Sequence, residues 1–267
     1  MKILRVFPRH TNATPDDENV RIGSPTLFDS ADKVLISVIF TWDIPQAIKL
    51  ADEWGRIAYV DIGGPAYNQS GGEFEPGKFL KKGMVITSRG CPNKCWFCSV
   101  WKREPRLKEL EIKEGNILND DNLLACSHTH INKVFEMLKS QKAIEFIGGL
   151  EASLLRDWHI KLMMGISIKQ IFFSYDMPDD LEPLIIAGKK LRDAGFNSNK
   201  LRCYVLIGFK GDTFEKAEKR LRETWDAGFL PFAMLYTETG KYDKQWRRFQ
   251  RLWTRPAATK AILKADS

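Results

Sequence analysis

An α/β fold with a mostly parallel sheet is predicted by three features of the 267-residue sequence. From about residue 80 onward, short apolar runs alternate with amphipathic segments of helical length. The first 80 residues repeat that alternation on a smaller scale, and a composition of 43% hydrophobic and 28% charged residues supports a substantial core. In order along the chain, residues 34–40 read as a buried strand, 44–54 as a helix, and 57–62 as a second strand ending in Gly63-Gly64-Pro65. A glycine- and charge-rich linker, 68–82, follows. Strands are then expected over 84–87, 143–147, 170–175, 201–209 and 231–236, and helices over 120–140, 152–164, 180–194 and 213–227. The last helix opens at Asp212-Thr213 ahead of Glu215, a capping signal, and closes at Gly228. The charged segment 102–119 is expected to run over the surface. These boundaries define a small α/β unit (1–80), a larger α/β unit (81–240) and a basic tail (241–267).

Composition excludes disorder and collagen-like repeats. The longest apolar stretch, 34–42, is half of the roughly 18 residues needed to cross a bilayer, and the N-terminus carries no signal-peptide pattern, so a cytoplasmic protein without membrane contact is expected. Five cysteines are too few for a disulfide scaffold, and Cys91, Cys95 and Cys98 fall within eight residues, which points to metal chemistry.

The positive charge is localised. Residues 241–267 carry +6 of the net +7. Tyr242, Trp246, Phe249 and Trp253 recur there at spacings of four, three and four, so a helix would gather them on one stripe and Arg247, Arg248, Arg251 and Arg255 on the others. Such a helix packs on the body with a solvated basic face, or that face attracts nucleic acid or another polyanion; charge alone leaves both open.

Cys91-Pro92-Asn93-Lys94-Cys95-Trp96-Phe97-Cys98 places thiols at i, i+4 and i+7 after a predicted strand. Soft thiolates suit an iron–sulfur cluster or zinc, and zinc requires a fourth ligand from elsewhere. Three cysteines on a four-iron cubane leave one iron open to a small molecule.

This C-x3-C-x2-C loop, with aromatic Phe97 before the last cysteine, resembles the signature of the radical S-adenosylmethionine (radical SAM) enzymes. Gly148-Gly149-Leu150-Glu151, after a later strand, is similar to that family's glycine-glycine-glutamate motif; the resemblance implies that its backbone and acid receive the ammonium of S-adenosylmethionine. It also assigns ribose hydrogen bonding to Asp176, with Ser174 second, at the end of IFFSYD, and contact with adenine to the strand containing Tyr204 and Leu206. What the family implies is a partial (β/α)6 TIM-like barrel with a [4Fe-4S] cluster at its strand ends, an electron donor such as flavodoxin or ferredoxin, and reductive cleavage of S-adenosylmethionine to a 5′-deoxyadenosyl radical that takes hydrogen from a substrate.

A small N-terminal α/β unit ahead of such a barrel resembles the cobalamin-binding subclass, with Ser37-Val38-Ile39 and Gly63-Gly64 at corresponding places. The Asp-x-His-x-x-Gly loop that ligates cobalt is missing, since His10 lacks the Asp and the Gly. The unit therefore reads as a shortened relic that serves packing or shapes a substrate cleft, and cobalamin is not expected. Cys126, His128 and His130 fall at the start of a predicted helix, where they diverge. Cys203 reads as a buried apolar residue, with hydrogen donation beside a radical as the alternative; Tyr204 and Tyr236 carry the same ambiguity. Three functional readings follow: a radical SAM enzyme of unknown substrate, a nucleic-acid-binding protein with a structural metal at the cysteines, or a radical SAM enzyme acting on a nucleic-acid component.

Overall fold

The structure is a computed structural model that describes residues 1–69 and 72–265. Within the linker, Ser70 and Gly71 lie outside the described residues, as do the last two residues of the tail. The chain divides into two compact units, Met1–Gly115 and Asn116–Ser267.

The first unit holds a parallel four-stranded sheet in the order β2-β1-β3-β4, with β1 at Ile3–Phe7, β2 at Val20–Ile22, β3 at Lys33–Ser37 and β4 at Tyr59–Gly63. Helix α1, Ile44–Trp54, coincides with the predicted helix because Ala47, Leu50 and Trp54 recur at helical spacing and all face the sheet. Trp54 is fully buried, and its indole N–H donates to the Gly23 carbonyl at 3.0 Å. Strands β1 and β2 go beyond the sequence expectation. β1 alternates, with Leu4 and Val6 in the core, but its five residues at the very start of the chain offer little period to detect. Gly64, at φ +116°, marks a close backbone approach: a Cβ there would lie 2.7 Å from the Val38 carbonyl oxygen. The glycine pair Gly63-Gly64 thus has a packing reason of its own.

Further along this unit come the two-residue strands β5 (Met84–Val85), β6 (Ser88–Arg89) and β7 (Lys108–Glu109) and the short helix α2 (Val100–Arg103). β6 pairs antiparallel with β7, so the segment expected to wander over 102–119 instead returns to the base of the cysteine loop.

The second unit is built of β-α-β steps. Its strands β8 (Ile117–Leu118), β9 (Ile144–Leu150), β10 (Ile168–Tyr175), β11 (Leu201–Ile207) and β12 (Leu230–Leu235) follow one another in the order β12-β11-β10-β9-β8, all parallel. The connecting helices are α3 (His128–Leu138), α4 (Asp157–Met164), α5 (Leu181–Asp193) and α6 (Phe214–Asp226). α3 and α4 start later than predicted because 3-10 turns, Leu123–Ala125 and Ala152–Leu154, precede them. At α6 the capping signal holds: the Thr213 hydroxyl accepts the Lys216 N–H, and Gly228 follows the helix at φ +96°.

The tail forms two helices rather than one, α7 (Lys244–Thr254) and α8 (Pro256–Ala265). Proline forces the break: Arg255, which precedes Pro256, is extended at φ −100°, ψ 113°. The aromatic stripe of α7 faces inward. Trp253 is 1% exposed among Val205, Ile207, Ala217, Leu221 and Ala233, while Trp246 and Phe249 pack at the margin against Phe214. Among the described residues, no helix is long and apolar enough to cross a membrane.

Replacing Trp253 by alanine is expected to lower the free energy of unfolding by about 3–5 kcal/mol, whereas Arg248→Gln on the outer face changes it by no more than about 0.5 kcal/mol. Urea denaturation of both variants checks this; equal losses would show that α7 is not anchored through its indole.

Candidate functional site

The cysteine loop is closed at its base by the β6–β7 pair and by the Leu110 N–H, which donates to the Thr87 carbonyl at 2.8 Å. Thr87 and Ser88 are fully buried, which gives the loop a rigid stem. Gly90 is at φ +83°, and a Cβ there would stand 2.3 Å from the Arg106 carbonyl oxygen, so only glycine fits immediately before Cys91. Cys91, Cys95 and Cys98 are half-buried thiols. The Asn93 and Val100 N–H groups donate to the Cys91 and Cys98 sulfurs, each at 3.4 Å. A turn brings the Cys98 N–H to the Cys95 carbonyl, which also accepts the Trp101 indole N–H, both at 3.1 Å. Phe97 stands edge-on to Trp96 at 5.4 Å.

Among the described residues, no three His, Cys, Asp or Glu side chains are arranged to hold a single metal ion. A four-iron cluster is held differently, by sulfurs spaced around a cage, so this geometry bears on a mononuclear centre. The donor set itself fits an iron–sulfur cluster: three thiols on one loop, two of them receiving backbone N–H groups of the kind that tune such clusters.

In the second unit, the strand ends bring several predicted residues together. Where β9 runs beside β10 the register shifts, Ile171 facing Phe146 and Phe173 facing Leu150, so the segment containing Gly148 and Gly149 bulges out of the ladder. Gly148 lets the chain pass the Asp120 backbone, whose oxygen would lie 2.0 Å from a Cβ; Gly149 is at φ +79°. A Cβ on Gly149 would sit 3.5 Å from the Tyr204 ring and 3.9 Å from the Ser174 Cβ, so Gly149, Ser174 and Tyr204 meet at adjacent strands. Glu151, just beyond, accepts hydrogen bonds from the Asn122 amide and the Ser153 hydroxyl, both at 2.7 Å.

Tyr204 stacks on Phe172 at 4.3 Å and donates to the Ile147 carbonyl at 3.1 Å; burial raises its hydroxyl to about 12. Asp176 accepts the Leu206 N–H at 3.1 Å, and the Leu206 carbonyl accepts from Arg220 at 2.9 Å, so both backbone groups of Leu206 are engaged within the chain. Burial first, then the charge of Asp180, raises the Asp176 carboxyl to about 7, against the opposing Leu206 N–H and Arg220.

Sequence reading missed the supports of this cluster. Asp212, read as part of a helix cap, has a fully buried carboxylate that accepts from Arg220 and from the Gly208 N–H, both at 2.8 Å. Asp180 accepts the N–H groups of Asp176 and Met177. Gly208 and Gly211, both just ahead of Asp212, were the available signal. Cys126, His128 and His130 diverge as expected: Cys126 precedes α3, His128 lies against Trp158, and His130 is buried in the first turn.

No known family model, curated protein or solved structure matches the chain.

Two outcomes follow. Gly148→Ala forces a Cβ onto the Asp120 backbone and is expected to cost about 1–3 kcal/mol in thermal or urea unfolding, while Gly165→Ala, where the nearest atom is 3.4 Å away, costs less. Because the folded Asp176 value lies above the unfolded 3.8, the folded chain keeps a proton that the unfolded chain loses between about pH 4 and about 7, and stability falls as pH rises through that window. Asp176→Asn, which still accepts the Leu206 N–H, should flatten that fall; an unchanged pH profile would show the carboxyl ionising normally.

Proposed function

We propose that the chain is a radical SAM enzyme, with the second unit's parallel β-α-β steps forming part of a TIM-like barrel. The observation that carries this reading is the C-x3-C-x2-C loop on a rigid stem, its thiols half-buried and two of its sulfurs receiving backbone N–H groups. Packing does not explain three cysteines so placed, since their side chains are not core residues. Cys91, Cys95 and Cys98 would hold a [4Fe-4S] cluster. When bound, that cluster supplies an open iron and an electron for reductive cleavage of S-adenosylmethionine, which generates a radical able to remove hydrogen from a substrate.

The chain's own residues do the positioning. Glu151, fixed by Asn122 and Ser153, presents a carboxylate suited to an ammonium. Within the bulge, Gly149 leaves backbone without a side chain beside Ser174 and Tyr204, while Gly148 accommodates the Asp120 backbone. Ser174 offers a hydroxyl, and Asp176 a carboxyl with one oxygen on Leu206 and the other available for a ribose hydroxyl. Tyr204, locked by Phe172 and the Ile147 carbonyl, provides a rigid apolar wall rather than a mobile radical relay. A cytoplasmic location and a flavodoxin- or ferredoxin-type donor belong to the same proposal.

Anaerobic reconstitution with iron and sulfide should give a brown protein with about four irons per chain. With S-adenosylmethionine and a strong reductant it should then release 5′-deoxyadenosine. Serine at any one of Cys91, Cys95 or Cys98 is expected to abolish both, while Cys126→Ser keeps both. A colourless, zinc-loaded protein that yields no 5′-deoxyadenosine would overturn the assignment in favour of a structural metal.

A further inference from the structure

Residues 244–265 contain no Asp or Glu. Lys244, Arg247, Arg248, Arg251 and Arg255 are exposed there, and among the described residues none of the five is in an ion pair. Neighbouring α6 treats its cations differently, pairing Arg222 with Glu218 and Lys219 with Glu223. The charge on α7 is therefore uncompensated where the chain readily compensates it elsewhere. Lys244 and Arg248, and Arg247 and Arg251, stand four apart on the helix, which sets successive cations about 6 Å apart along its axis.

Two features select the partner. A membrane-binding helix must offer an apolar face to lipid, but here Trp253, Phe249 and Trp246 are spent on the core, so α7 has little to insert. Four of the five cations are arginines, whose planar forks match phosphate oxygens in pairs. We propose that the outer face of α7 and Arg255 is a docking surface for the phosphate backbone of a nucleic acid. With Trp253 buried and Trp246 and Phe249 packed against the core and Phe214, α7 turns no ring outward as a platform for bases, so the surface grips backbone without reading sequence and binds duplex at least as well as single strand. This inference rests on the tail alone and stands or falls independently of the cluster.

Fluorescence anisotropy of the full chain with a labelled random-sequence duplex and its single strand tests it. Wild-type affinity should fall with salt between about 50 and 200 mM at a log–log slope of about −3 to −4. R247Q/R248Q/R251Q/R255Q should lose about tenfold or more and flatten that slope, while K133Q/K142Q/K161Q/K189Q, which removes equal charge elsewhere on the same unit, stays within about threefold. If circular dichroism shows the fourfold variant unfolded, the comparison of Arg251→Gln with Arg251→Lys, which keeps the charge and must weaken binding less, decides. Equal losses in both fourfold variants, salt-insensitive binding, absence of binding, or preference for phosphatidylserine vesicles over duplex would each overturn the proposal.

Discussion

A buried ion pair holds the end of the second unit's sheet in place. Arg220, projecting from α6, donates both to the Leu206 carbonyl and to the Asp212 carboxylate, which in turn accepts the Gly208 N–H. One guanidinium thereby ties a strand, the loop that leaves it and the helix that follows. Tyr175 adds a second tie, donating to Glu223 of the same helix at 2.8 Å. Removing one partner of such a pair would strand the other in a dry interior, a loss of about 3–5 kcal/mol, so this is where the fold can least tolerate change. The pair is also imperfect: the second Asp212 oxygen and the Arg220 Nε are buried without a hydrogen bond. Retaining that cost is reasonable only where position matters more than stability, and the position in question is that of Leu206, whose N–H donates to Asp176.

The parts of the fold visible in the sequence were those with enough residues to show a period. α1 and α6 bury one stripe each, and β9, β10 and β11 are apolar runs bounded by helices, so pattern alone found them. β5, at Met84–Val85, falls within the strand expected over 84–87, whereas β6, β7 and β8 are two residues long, too short for any alternation to register. Their existence depends on what lies opposite: β7 is a strand because Ser88 and Arg89 face Lys108 and Glu109, a relation between distant residues. The break between α7 and α8 was legible in principle, since Pro256 stood in the sequence, but the aromatic spacing drew attention to a single continuous helix.

The candidate site divides along the same line. Positions singled out by residue type, the three cysteines and Asp176, could be named at once. Asp180, which holds the Asp176 backbone, and Asp212 and Arg220, which hold Gly208 and Leu206, could not, because a buried carboxylate and a surface carboxylate look alike in one dimension. Asp212 was read as a helix signal, yet Thr213 is the cap and Asp212 turns inward.

Glycine pairs show how far a motif can be trusted. Gly63-Gly64 and Gly148-Gly149 both lie at or near the C-terminal end of a parallel strand, and either could be read as a place where backbone approaches a ligand. In each pair one glycine is already required by the chain itself: Gly64 by the Val38 carbonyl, Gly148 by the Asp120 backbone. What separates them is the surroundings. Beside Gly149 stand Ser174, Tyr204 and a tethered carboxylate one residue past Leu150, whereas the amide of Gly64 is bonded to the Gln69 side chain at 3.0 Å. A glycine pair therefore points to a ligand only through the polar groups that converge on it. The cysteine loop differs in kind, because half-buried thiols at fixed spacing satisfy no packing need that alanine or valine would not meet better.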